Sequence, residues 1–172
     1  MRSRSSRCHG IAKIGRTCCR KHGTQNAEKS IRRPESPKLS GELGLRPAWS
    51  LDLTTIDAED GKPWDFSDPA KRRKASELIK HDKPLLLVVC PMCGAFSAMN
   101  NWNYEKMKSE DAKEKLERAM EHVKFALDLC MQQYKAGRLF MFEHPTSASS
   151  WTTTMMQQTM NLEGVYVSKF DF

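Results

Sequence analysis

The chain has 172 residues with 28 Lys and Arg against 21 Asp and Glu, a formal charge of +7. That length holds one ordinary domain and excludes a multi-module enzyme. No stretch reaches the roughly 18 apolar residues of a membrane span, and no compact apolar signal core follows Met1, so an intracellular location, nucleus or cytoplasm, is expected, with organelle import left open by the Arg- and Ser-containing start.

The excess charge sits at the front. Residues 1–38 hold eleven Arg and Lys against two acidic residues, whereas 39–172 hold seventeen against nineteen. The first stretch is rich in Ser, Arg, Gly and Pro and poor in large apolar side chains, so it cannot offset the entropy of ordering. Residues 1–40 are therefore expected to be a basic, mostly disordered tail and linker, suited to neutralising the phosphates of DNA or RNA. Cys8, His9, Cys18, Cys19 and His22 could ligate zinc, but their spacing matches no finger, and unligated residues are the simpler reading; no metal site is expected. Pro34, Pro37, Pro47, Gly41 and Gly44 mark the linker.

Structure is then expected over 41–172. Trp49-Ser-Leu-Asp-Leu-Thr54 alternates as a short strand ending near Asp52, followed by a polar turn through Asp57, Asp60 and Gly61. Asp68 before Pro69 reads as an N-cap and first helical residue, predicting a helix to about Lys80. Pro84-Leu-Leu-Leu-Val-Val-Cys90 is continuously apolar after its proline, as in a strand covered on both faces. Leu116, Met120, Val123, Leu127, Cys130 or Met131, and Tyr134 recur at helical spacing, with Ser109 at the start and Gly137 as C-terminal cap. Residues 138–142 and 164–170 read as two further strands.

Strand, long helix, strand predicts a parallel crossover, and in open α/β sheets ligands gather beyond the carboxyl ends of the strands. The loops after Cys90 and Phe142 should therefore face one edge. Cys90-Pro-Met-Cys93 could be a redox pair, but Cys90 completes a buried strand while Cys93 enters a loop, which disfavours a matched dithiol. Cys93 and Glu143 support a different chemistry: a thiol can add to an electron-poor ring while a carboxylic acid hydrogen-bonds a ring nitrogen. The bland alternative is a satisfied loop thiol and a glutamate bound to Arg138.

Pro91-Met92-Cys93-Gly94-Ala95-Phe96-Ser97 resembles the Pro-Pro-Cys-Gln-x-Phe-Ser loop of DNA cytosine-5 methyltransferases, and Glu143-His144-Pro145 stands where those enzymes carry Glu-Asn-Val. The text is similar, more closely, to divergent methyltransferase-like segments of retroelement-like polyproteins, in Leu51-Asp-Leu-Thr-Thr55, Trp64-Asp-Phe66, Pro91-Met-Cys93, Phe96-Ser97 and Glu143-His-Pro-x-x-Ala-Ser-Ser-Trp151. The resemblance covers about residues 41–172. It implies a partial Rossmann-like methyltransferase fold with a mainly parallel sheet and one long crossover helix. It also implies Cys93 as nucleophile on carbon 6 of a flipped cytosine and Glu143 at its N3 edge, with Pro91 shaping the pocket. Asp52, Trp64, Asp65 and Pro91 are the implied neighbours of S-adenosylmethionine.

The pattern departs from the family at Met92, Gly94, His144 and Pro145, and it lacks the acidic, glycine-rich first-strand motif that cradles the methionine half of that cofactor. The later Gln-x-Arg motif and the target-recognition domain are also missing. Two readings follow: a methyltransferase-like protein that is inactive as an isolated chain unless the cradle is replaced, and a non-catalytic nucleic-acid-binding or protein-interaction domain of retroelement origin.

Overall fold

The computed structural model describes residues 10–15, 46–96 and 109–169. In chain order the elements are β1 (Gly10–Gly15), β2 (Arg46–Leu51), α1 (Pro69–Asp82), β3 (Leu86–Cys90), α2 (Ser109–Lys135), β4 (Leu139–Phe142) and a short α3 (Thr154–Met160), with 3₁₀ turns at Gly94–Phe96 and Ser149–Thr152. The four strands form one sheet in the order β2-β1-β3-β4, every neighbouring pair parallel. The molecule is thus a small mixed α/β fold.

The expectation of a mostly disordered 1–40 is corrected at one place. Gly10-Ile-Ala-Lys-Ile-Gly15 forms β1, in the interior of the sheet between β2 and β3. Two β-branched residues between glycines are too short a signal to stand out locally, and the strand forms because long-range partners flank it on both sides. The candidate zinc ligands and the rest of the tail and linker up to Gly44 lie outside the described residues.

The helices start where the sequence indicates. Asp68 accepts from Ala70 N at 2.7 Å and Pro69 occupies the first helical position, while Lys83, at φ +49°, closes α1 by donating its N–H to Ile79 O. At about 1.5 Å per residue, the 27 residues of α2 run about 40 Å. Gly137, at φ +64°, turns the chain out of it through a bond to Tyr134 O.

The core explains how α2 is oriented. Ala126, Leu129 and Cys130 pack with Leu87 and Val89 of β3, Ala75 and Ile79 of α1, and Leu51, Trp64 and Phe66. A second stripe one helical turn apart, Ala119, Val123 and Leu127, packs with Ala95, Phe96, Ala148 and Met156. Each large side chain fully buried here contributes about 2 kcal/mol. Gln133, also fully buried, bridges the strands: its Nε2 donates to Pro84 O and Leu139 O at 3.0 and 3.1 Å, and its Oε1 accepts from Arg138 Nε at 2.6 Å.

Two expectations change. The apolar run at 84–90 predicted a strand covered on both faces, but Leu87 and Val89 are fully buried while Leu86 and Val88, on the opposite face, are half-buried. The strand expected at 164–170 is not formed among the described residues: 165–169 has no ladder partner, and Tyr166 is 89% exposed. Its alternation is local, whereas a strand needs a neighbour. The crossover does form as expected, with β3 and β4 adjacent and parallel, Leu86 opposite Leu139 and Val89 opposite Phe142.

Candidate functional site at the carboxyl edge of the sheet

β2 ends in a self-braced turn. Asp52 Oδ1 accepts from Thr54 N at 2.7 Å and from Thr54 Oγ1 at 2.6 Å, and Asp52 N donates to Thr55 Oγ1 at 2.9 Å. Leu51-Asp-Leu-Thr-Thr55 is therefore first a turn in which a buried carboxylate replaces missing backbone partners. Thr55 O then accepts from Trp64 N at 3.1 Å, which returns Trp64-Asp-Phe66 to the end of β2.

Between this turn, the end of β3 and α2 lies a cavity of about 190 Å³, lined by Asp52, Leu53, Trp64, Asp65, Phe66, Ser67, Cys90, Pro91, Met92, His122, Phe125 and Ala126. Its walls are largely apolar and include three aromatic side chains: Phe66 and Phe125 sit 5.2 Å apart and Trp64 6.4 Å from Phe66. The ammonium groups of Lys71 and Lys74 lie 5.0 and 5.4 Å from the Trp64 ring centre. Ser67 Oγ and His122 Nε2 meet at 3.3 Å, and the exposed Asp65 accepts from Ser67 N at 2.9 Å. The four residues expected around a cofactor, Asp52, Trp64, Asp65 and Pro91, thus line one cavity. Phe125 and His122 were not singled out in the sequence because they belong to the periodicity of a long helix. Their only signal is position, on the α2 face that also carries the buried Ala126.

Lys71, Asp57, Asp60 and Lys74 hold this wall from behind. Lys71 Nζ lies 2.7 Å from Asp57 and 2.8 Å from Asp60, and Lys74 Nζ 2.7 Å from Asp57, with the side chains of Asp57 and Lys71 both nearly inaccessible. Burial acts to raise the pKa of Asp57, but hydrogen bonds from Lys71 and Lys74 outweigh it and bring the carboxyl down to about 2.

Cys93 and Glu143 follow the carboxyl ends of neighbouring parallel strands, so both loops leave the same sheet edge. Cys93 is half-buried, and its carbonyl accepts from Phe96 N at 3.0 Å to open the 3₁₀ turn. Glu143 N donates to Val89 O at 2.9 Å, continuing the ladder one residue past β4. Its carboxylate is exposed, yet Oε2 accepts from Cys90 Sγ at 2.9 Å. The partner is neither Cys93 nor Arg138, the latter being held by Gln133. Neither Cys93 nor Glu143 lines the cavity, whereas Cys90 does.

The loop after Glu143 folds on itself. Trp151 Nε1 donates to Pro145 O at 2.6 Å, and His144 is surrounded by Phe96, Phe142 and Trp151 with ring centres 5.7, 5.7 and 5.9 Å away. Burial pushes the imidazole of His144 down to about 4, only partly offset by the Glu143 carboxylate. The cage joins the loop after β3 to the loop after β4 and gives a physical reason for a tryptophan eight residues beyond Glu143.

Among the described residues no three His, Cys, Asp or Glu side chains gather so as to hold a metal ion, and no helix is long and apolar enough to cross a membrane. Comparison with protein-family models, curated proteins and solved structures returned no match for this chain.

Proposed function

We propose that the chain is a cytosine-5 DNA methyltransferase-like domain of Rossmann-like type, whose carboxyl edge carries a nucleoside-sized cavity beside a cysteine loop. The observation behind this reading is that Asp52, Trp64, Asp65 and Pro91, spread over forty positions, line a single cavity next to the loop bearing Cys93. Aromatic walls with two carboxylates suit a flat heterocycle and sugar hydroxyls. At about 190 Å³ the cavity is smaller than the roughly 300–1,000 Å³ that encloses a drug-sized ligand. That size is closer to a nucleoside than to the whole of S-adenosylmethionine.

When bound, that cofactor supplies an electrophilic methyl group. The chain's own part is addition of the Cys93 thiolate to carbon 6 of cytosine, with Glu143 hydrogen-bonding the N3 edge so that the ring accepts the electron pair. After methylation at carbon 5, loss of the carbon-5 proton and release of the thiolate restore the ring.

The test is a denaturing mass measurement of the intact chain after incubation with a DNA duplex carrying 5-fluorocytosine and S-adenosylmethionine. An adduct that disappears in Cys93→Ser is the expected result. Its persistence in that variant removes Cys93 from the role. Absence of any adduct from the folded chain, together with no heat on titration with S-adenosylmethionine, leaves the second reading, a non-catalytic DNA- or RNA-binding or protein-interaction domain of retroelement origin. The small size of the cavity favours that second reading.

A further inference from the structure

We propose that Cys90 is a positioning residue that holds the Glu143 carboxylate at the sheet edge. The inference rests on the reading of Glu143 as the base-contacting group. A glutamate at a strand exit has three rotatable bonds, and an exposed one samples many rotamers unless something fixes it. Here the backbone is fixed by Glu143 N to Val89 O at 2.9 Å and the side chain by Cys90 Sγ to Oε2 at 2.9 Å. Oε1 has no hydrogen-bond partner among the described residues and is left to meet a ligand.

Cys90 is well mounted for this task. It is 5% exposed, and it lies opposite Gly15 in the β1–β3 ladder, with β4 on its other side. A side chain on a strand flanked by two hydrogen-bonded neighbours holds position better than one on a loop. The bond also assigns different roles to the two cysteines. Against a carboxylate, Cys90 serves as an S–H donor, because a thiolate there would face a like charge; Cys93, in the following loop, has no such constraint. Cys90 lines the cavity as well, so one side chain separates whatever occupies the cavity from the carboxylate it supports.

Two measurements on the full chain decide the matter. Infrared spectra resolve S–H stretches, and the band missing from Cys90→Ser identifies Cys90. In Glu143→Ala, a surface truncation that leaves the fold alone, that band should move to higher frequency; an unmoved band overturns the proposal whatever the activity. The second measurement is the rate of adduct formation with the 5-fluorocytosine duplex. Cys90→Ala should slow it about ten-fold, the scale of one charge-assisted hydrogen bond, and Cys90→Ser, which keeps a donor, should stay within about three-fold of the parent. Equal rates in Cys90→Ala and the parent refute the positioning role. No adduct in the parent sinks the methyltransferase reading instead, while the infrared result still decides the Cys90–Glu143 bond.

Discussion

A neutral imidazole ringed by three aromatic side chains makes His144 the acid-sensitive residue of this edge. The folded ring takes up its proton at about pH 4, whereas an unperturbed histidine does so at 6.5. Between those values the unfolded chain binds more protons at this ring, so the contribution of His144 to stability falls as pH drops from 6.5 to 4 and is constant above that window. Both ring nitrogens are buried without a hydrogen-bond partner among the described residues, which adds a desolvation cost that an apolar ring would not carry. His144→Phe should therefore flatten the dependence of the urea midpoint between pH 7 and pH 5 and match or exceed the parent at pH 5. A variant that keeps the parent's slope would show that another group sets it. At this scale the sequence was only partly legible. Cys93, Glu143 and Trp151 stood out by their wording, but the bond from Cys90 did not. A strand-final cysteine reads as core until the β3–β4 register shows which side chain reaches Glu143.

The loop between β2 and α1 is held by charge as well as by the packing of Trp64 and Phe66 into the core. Asp57 is nearly inaccessible and pairs with two lysines one helical turn apart on α1, and Asp60 shares Lys71. Removing Asp57 takes the buried carboxylate from both lysines, although Lys71 keeps Asp60 and Lys74 keeps Glu59, so Asp57→Ala should lower stability by about 2 kcal/mol, read from denaturant unfolding. Because the folded carboxyl is depressed to about 2 from 3.8, its contribution is complete above pH 3.8 and is lost as pH falls through 2. This window lies below that of His144, and an acid titration should resolve two steps, the lower one absent from Asp57→Ala. Since Lys71 and Lys74 also lie against Trp64, the same variant should loosen the cavity wall, visible as a change in tryptophan fluorescence. The helices themselves were legible because caps and apolar periodicity are local signals: Asp68, Pro69 and Gly137 stand at the expected ends. The clamp was not. Asp57 and Asp60 read only as a polar turn, and nothing in the sequence marked Lys71 and Lys74 as their partners.

Over the whole molecule, the interior position of β1 changes what a truncation means. The cavity is bounded on one side by the exit of β2, at Asp52 and Leu53, and on the other by the exit of β3, from Cys90 to Met92. These strands are not neighbours; β1 lies between them and hydrogen-bonds both. Removing residues 1–15 to test whether the basic start binds nucleic acid would also remove the strand that sets the width of the cavity, and lost binding would have two causes. Replacing Arg2, Arg4 and Arg7 with Gln separates them, because it lowers the charge and leaves the Gly10–Gly15 strand in place. If phosphates are bound by this region, the triple variant should lose affinity for unrelated DNA and RNA sequences alike, and the slope of log affinity against log salt should become shallower by about two to three units. Its unfolding midpoint should equal the parent's. The 1–15 deletion should instead lose the cooperative unfolding transition, since β2 is left without its only described neighbour. A deletion variant that unfolds like the parent would show that β1 is dispensable to the sheet, and would return the basic start to a purely electrostatic role.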